Sequence, residues 1–263
     1  MKKLTILKIG GEVVDQPEKL KLLLQQWAAI SGHKILIHGG GKQANELSKQ
    51  LSIQPKIIDG RRITDAASLK VVTMIYAGLL NKQIVAQLQA YGCNAIGLTG
   101  ADANMIPASR RSSKPIDFGF VGDIKPTKLN VNQLLQFLEK DLTPVFCAIT
   151  HDGKGQLLNT NADTIASAIA SSLSHHFNVH LILCLNQPGV LVDANDPQSL
   201  IQQLTPKLYQ QMKEDGSVTD GMIPKLDTAF QALSNKVDQV IVGSPDLLKY
   251  YPEEIKGTML CHS

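Results

Sequence analysis

Two short glycine runs, each directly behind an apolar stretch, carry the first chemical signal in the chain. Gly10-Gly11 follows Leu4-Thr5-Ile6-Leu7-Lys8-Ile9, and Gly39-Gly40-Gly41 follows Lys34-Ile35-Leu36-Ile37-His38. Glycine has no Cβ, so other groups approach its backbone closely. A helix that begins just after such a turn presents unpaired N–H groups that attract negative charge. Either turn alone reads equally well as a tight strand-to-helix connection without a ligand. The two together, with Lys8 at the end of the first apolar run, favour phosphate handling. An ammonium buried there needs an anion, unless its stem carries it out to solvent.

Four further segments place polar groups at element boundaries. Arg62 follows an Asp-Gly turn, where its fork suits a carboxylate, although its position also fits a surface arginine. Asn159-Thr160-Asn161-Ala162-Asp163 opens a helix, and plain capping by Asn161 and Asp163 explains it equally. Asp220-Gly221-Met222-Ile223-Pro224-Lys225 opens another helix with a lysine in its first turn. That placement opposes the helix dipole unless Lys225 meets an anion. Asn186-Gln187-Pro188-Gly189 reads as a turn, or as a loop beside a nucleotide base. The standard signatures are missing. Lys42 is followed by Gln43 rather than Ser or Thr, and there is no Gly-x-Gly-x-x-Gly after the first apolar run and no Gly-x-Ser-x-Gly. His176 and His180 stand four apart across a helix-to-strand junction, which is poor metal-ligand geometry. No metal site is expected.

Hydrophobic spacing supplies the elements that must hold these groups. Strands are expected over 4–9, 34–38, 94–98 and 144–149, and helices over 17–31, 42–51, 65–91, 130–140 and 162–173. The long helix over 65–91 takes its apolar stripe from Leu69, Val72, Ile75, Tyr76, Leu79 and Val85. Short strands flank Asp59-Gly60. Residues 105–127 read as one or two hairpins over the sheet edge, with Arg110 and Arg111 solvated rather than forming a basic contact. From 179 the pattern restarts, with strands over 179–185, 190–192, 237–242 and 257–261 and helices over 206–213, 222–235 and 246–250. Alternating strands and helices imply a mostly parallel sheet covered on both faces.

The 263 residues suffice for one large domain or two lobes. A net charge of +3 without a basic block makes nucleic acid a poor default partner. No apolar run approaches membrane-spanning length, and Met1-Lys2-Lys3 leads into a short strand rather than a signal sequence. Cys93, Cys147, Cys184 and Cys261 lie far apart, and three sit in apolar runs. They read as free thiols in a reducing cytoplasm.

In order, Lys8-Ile9-Gly10-Gly11, His38-Gly39-Gly40-Gly41, Gly60-Arg61-Arg62-Ile63-Thr64, the segment over 159–163, and Thr219-Asp220-Gly221-Met222 with Lys225 resemble the amino acid kinase family across nearly the whole chain. The segments over 60–64 and 159–163 favour a member acting on acylated glutamate over carbamate, aspartate or uridylate kinases. The resemblance implies an open α/β/α sandwich with two lobes. Residues 1–175 would bind the acyl amino acid and dimerise, and residues 176–263 would bind ATP. It further implies phosphoryl transfer from ATP, with Mg²⁺, to the γ-carboxylate of N-acetyl-L-glutamate in arginine biosynthesis, by a cytoplasmic homodimer free of nucleic acid and membrane. N-succinyl-L-glutamate, carbamate, and a non-catalytic nucleotide or amino-acid sensor on the same fold remain the alternatives. Carried over by residue, Lys8 and Lys225 would contact the transferring phosphoryl group and Asp163 would orient both. Gly40, Gly41, Arg62 and Asn159 would hold the acyl amino acid. Gly10, Gly11, Asn186, Gly189, Val190, Leu191, Ser217, Val218, Thr219 and Gly221 would line the nucleotide and its phosphates. The family often has Thr/Ser-Asp where this chain has Leu185-Asn186, a departure that bears on nucleotide contact.

Overall fold

The opening apolar run forms β1 (Lys3–Ile9), and every residue from Leu4 to Ile9 is buried, as expected of a strand covered on both faces. The structure is a computed structural model that describes the chain except Asp59, Gly60, Ala194, Thr219, Asp220, Ser263 and the side chain of Arg61. A four-residue helix α1 (Gly11–Val14), α2 (Pro17–Ala29), β2 (His33–His38) and α3 (Gly41–Gln50) follow. Two short antiparallel strands, β3 (Lys56–Ile58) and β4 (Arg61–Ile63), flank the expected Asp-Gly turn, which itself lies outside the described residues.

The long helix is α4 (Ala66–Thr73) and α5 (Asn81–Ala90), joined without a break by a π-helical segment, Met74–Leu80. Asp65 caps it, accepting from the Ser68 N–H at 2.7 Å. The stretch Ala66–Ala90 is long and apolar enough to cross a membrane. Here Val72, Leu80, Ile84 and Leu88 are buried, and α5 packs on α2 and on the sheet. Beyond it come β5 (Ala95–Leu98), the hairpin of β6 (Ala108–Arg110) with β7 (Gly122–Ile124), and α6 (Val131–Glu139). The strand expected over 144–149 is divided into β8 (Thr143–Cys147) and β9 (Ile149–His151). The latter leaves the main sheet to pair with β10 (Leu157–Asn159).

Helix α7 (Ala162–Leu173) matches its expected bounds. The Asn161 side chain accepts from the Asp163 and Thr164 N–H groups, fixing where the helix begins. Alanine and serine fill most of α7, so it packs closely along β1, β2 and β11 (Asn178–Cys184). The remaining elements are β12 (Gln203–Leu204), α8 (Pro206–Glu214), α9 (Ile223–Ser234), β13 (Gln239–Gly243) and β14 (Thr258–Leu260). No strand forms over 190–192. Leu191 makes only an isolated bridge with Leu200, because the Val190 N–H is taken by Thr258 Oγ1 at 2.8 Å. Residues 245–249 are a 3₁₀ helix rather than an α-helix.

One eight-stranded sheet runs β12-β14-β13-β11-β1-β2-β8-β5, parallel except for β13 against β14. Strands on the β2 side of β1 all precede residue 176, and those on the β11 side all follow it. The chain therefore reverses its direction of winding at β1. The crevice beyond the carboxyl ends of β1 and β11 is where such sheets hold ligands.

Candidate functional site

The two glycine turns meet at that crevice. Gly10 donates to the Cys184 carbonyl at 3.0 Å, tying the end of β1 to β11. A Cβ on Gly11 would stand 3.7 Å from the Gly41 nitrogen, so the two turns face each other. Helix α3 begins at Gly41 with no side-chain cap, leaving its first-turn N–H groups free for an anion. Gly40 is required by space: a Cβ there would lie 2.2 Å from Leu80 Cδ1.

Beside these turns Lys8 Nζ stands 2.7 Å from Asp163 Oδ1, with side chains only 6% and 8% exposed. The contact is ionic and lacks hydrogen-bond geometry at Oδ1. Lys8 sits there because β1 ends there, and Asp163 because Asn161 starts α7 two residues before it. Lys225, in the first turn of α9, donates to the Gly221 carbonyl at 2.7 Å. Burial lowers its pKa; Asp163 and Glu12 oppose that shift, and Lys8 adds to it. Lys8, Asp163 and Lys225 thus share one electrostatic field, to which Glu12 also contributes. Asp163 is in contact with Lys8, while Lys225 is turned to its own helix start.

Arg62 on β4 reaches the start of α3. Its Nη2 donates to the Gly41 carbonyl at 3.2 Å and to Asn45 Oδ1, while Nη1 is buried with no partner among the described residues. Asn159, at the end of β10, donates through Nδ2 to Thr64 Oγ1 at 3.0 Å. Thr64 also exchanges backbone hydrogen bonds with Phe118 and Phe120, and the Asn159 N–H donates to the Phe120 carbonyl. The hairpin loop is thereby stitched to the ends of β4 and β10. Gly119 permits this with φ +74°, since a Cβ there would lie 2.3 Å from the Thr64 carbonyl oxygen. Arg110 is exposed as expected, its side chain 52% accessible, while Arg111 is only half-buried at the surface. Arg111 pairs with Asp123 across the hairpin, and Arg110 donates to the Gly119 carbonyl and lies over the Phe120 ring.

On the other side of β1, Gly189, Val190, Leu191, Ser217 and Val218 line a cavity of about 140 Å³ together with Gln187 and Met222. Asn186 stands outside it, and its Oδ1 accepts from Lys19 Nζ at 3.0 Å. Gly221 contributes the carbonyl held by Lys225. Thr219 lies outside the described residues. A larger hollow of about 410 Å³ runs along α3, lined by Asp15, Lys42, Glu46 and Leu79 among others. It contains none of the residues expected to do chemistry, so size alone does not mark the site.

The model of the amino acid kinase family matches residues 3–244. The chain belongs to the amino acid kinase family. The acetylglutamate kinase of Cytophaga hutchinsonii is 50% identical over 263 residues, covering 99% of each chain. That of Bacteroides thetaiotaomicron is 48% identical, covering 94% of this chain and 95% of the other. Among solved structures, N-acetylglutamate synthase from Neisseria gonorrhoeae superposes with a TM-score of 0.83 at 18% identity, over 99% of this chain and 59% of that one, which shows the shared fold.

Three residues of this amino acid kinase escaped sequence reasoning. His38 is fully buried beneath the second glycine turn. Its Nδ1 lies 2.8 Å from the Gly39 carbonyl and its Nε2 3.2 Å from Asn81 Nδ2. Those partners fix the tautomer: Nδ1–H donates to Gly39, and Nε2 accepts from Asn81. Burial lowers the His38 pKa to about 4, so the ring is neutral. Tyr76 and Leu80 lie directly under Gly40. All three contacts depend on the register of the π-helical segment, which helical periodicity in the sequence does not reveal. Burial also pushes the Cys147 and Cys184 thiols up to about 12, leaving them protonated and inert.

Proposed function

We propose that the protein transfers the γ-phosphoryl group of ATP to the γ-carboxylate of N-acetyl-L-glutamate, giving N-acetyl-L-glutamyl 5-phosphate for arginine biosynthesis. The observation that carries this reading is the buried Lys8–Asp163 pair at the end of β1, where two glycine turns face each other, with Lys225 within its electrostatic reach. The relatives named above add to it, since they are acetylglutamate kinases across their full lengths.

The acceptor carboxylate has a reference pKa of ~4.3 and is already ionised at neutral pH, so the reaction needs no general base. The difficulty is to bring an anion against a polyanion. Fixed positive charge and aimed N–H groups overcome it, and they act most strongly where charge moves onto the phosphoryl oxygens. A carboxylate oxygen of the acceptor attacks the γ-phosphorus, the bond to the bridging oxygen breaks, and ADP leaves with that electron pair. Gly40 and Gly41 face the acceptor, Gly10 and Gly11 the phosphates, and Arg62 Nη1 with Asn159 the α-carboxylate region. The 140 Å³ cavity takes the nucleoside. Among the described residues no group of three or more His, Cys, Asp or Glu is gathered. The phosphates rather than the chain would therefore hold Mg²⁺, which neutralises their charge when bound.

In this reading residues 1–175 hold the acceptor and residues 176–263 the nucleotide. Met74 and Leu79, 50% and 46% exposed on the long helix, support a homodimer formed through that helix. The buried free thiols suit a reducing cytoplasm.

A coupled ADP-release assay with hydroxylamine trapping of the acyl phosphate tests the proposal. ADP and hydroxamate are expected with N-acetyl-L-glutamate. Turnover only with N-succinyl-L-glutamate or carbamate would reassign the acceptor. Binding of ATP without turnover on any of them would leave a sensor instead of an enzyme.

A further inference from the structure

Tyr76 is 5% exposed on the π-helical segment, with its ring against the second glycine turn. A Cβ on Gly40 would stand 3.1 and 3.2 Å from ring carbons Cδ1 and Cε1. The hydroxyl reaches the first turn of α3, 4.0 Å from where a Cβ on Gly41 would be. Arg62 meets the same turn, with Nη2 on the Gly41 carbonyl and Nη1 buried without a partner among the described residues. The two side chains are electrostatic neighbours. Burial raises the Tyr76 pKa, and the Arg62 guanidinium opposes that shift. The phenol is therefore a neutral O–H donor across the physiological range.

Packing does not call for that hydroxyl. The stripe around it is hydrocarbon, with Val72, Ile75, Leu80 and Ile84 buried, and a phenylalanine would fill the same space under Gly40. Among the described residues Arg62 Nη1 has no acceptor and the phenol O–H beside it has none either, at an uncapped helix start. An Arg62 N–H left buried and unpaired is costly, and a carboxylate satisfies it and the phenol O–H at once through its two oxygens.

We propose that Tyr76 is a substrate-binding residue whose hydroxyl donates to the α-carboxylate of the acyl amino acid beside Arg62. This rests on the acceptor reading given above. It adds to the acceptor site a contact supplied by the register of a helix rather than by a loop.

The test is Tyr76→Phe in the full chain, with two acceptors. N-acetyl-L-glutamate carries both carboxylates. 4-Acetamidobutanoate keeps the carboxylate that becomes phosphorylated and lacks the other. Losing one hydrogen bond to a charged group should raise KM for N-acetyl-L-glutamate about 10–100-fold. The values of kcat and KM for ATP should stay within about twofold. With 4-acetamidobutanoate the variant and wild type should be alike, because the hydroxyl then has nothing to bind. An unchanged KM, or the same penalty on both acceptors, overturns the assignment. Calorimetric titration with N-acetyl-L-glutamate separates this from failure of the broader reading. If the wild type binds without turnover, the enzyme reading fails and the Tyr76 contact is judged by the variant's weaker binding. Equal binding by both proteins overturns the Tyr76 contact alone, and no binding by the wild type overturns both.

Discussion

The ion pair of Lys8 and Asp163 is almost wholly out of water, so each charge depends on the other. Removing one partner of such a pair leaves an uncompensated buried charge and costs about 3–5 kcal/mol. Asp163→Ala is expected to lose that much in urea unfolding. Lys8→Met combined with Asp163→Leu should regain most of it while remaining inactive, which would separate the role of the pair in folding from its role in catalysis. His38 gives a second prediction. In the unfolded chain it takes up a proton near its ordinary pKa of ~6.5, but in the folded protein only near 4. The unfolded state therefore binds more protons between those values, and stability falls as pH drops through that window, by about 3 kcal/mol in all. Unfolding at pH 7 and pH 4.5 should show this loss, and His38→Gln should remove its share. The Lys8 and Lys225 positions were legible because each breaks a local rule, a lysine ending an apolar strand and a lysine at a helix start. Asp163 obeys the helix-start preference for acids, and only the family resemblance singled it out. His38 breaks none, since a histidine ending a strand has many innocent explanations until Asn81 is seen beside it.

At the scale of elements, the connection from β2 into α3 is held from below by the π-helical segment. Gly40→Ala would place a methyl 2.2 Å from Leu80 Cδ1, with Tyr76 crowding the same point. That substitution should lower kcat at least tenfold, by displacing the N–H groups of the turn, and should reduce stability. Leu80→Ala in the same chain removes the closer obstacle and should restore part of the activity. Helix α7 could be read from the sequence because Asn161 marks its start and small residues run its length. The π-helical segment could not, because one added residue in a continuous apolar stripe leaves composition and spacing nearly unchanged. The strand expected over 190–192 fails for a related reason. Val190 and Leu191 are buried and Val192 is exposed, but a side chain from β14 rather than a neighbouring strand satisfies the Val190 N–H.

At the scale of the molecule, β1 joins two sets of strands of opposite winding, and the acceptor and nucleotide readings fall on opposite sides of it. Alternation of strands and helices disclosed the parallel sheet in advance, whereas the antiparallel pairing of β14 had no local signal. If the exposed apolar residues of the long helix meet a second copy, light scattering should give a dimer, and Leu79→Glu should give a folded monomer. The central claim is that fixed charge from both sides of β1 meets at the transferring phosphoryl group. Lys225→Ala tests it most directly, because among the described residues that ammonium is held by a single backbone carbonyl and its loss leaves the Lys8–Asp163 pair intact. Steady-state kinetics of the folded variant should show kcat lower by about 10²–10³-fold, with both KM values changed far less. A kcat within about threefold of wild type would contradict the account.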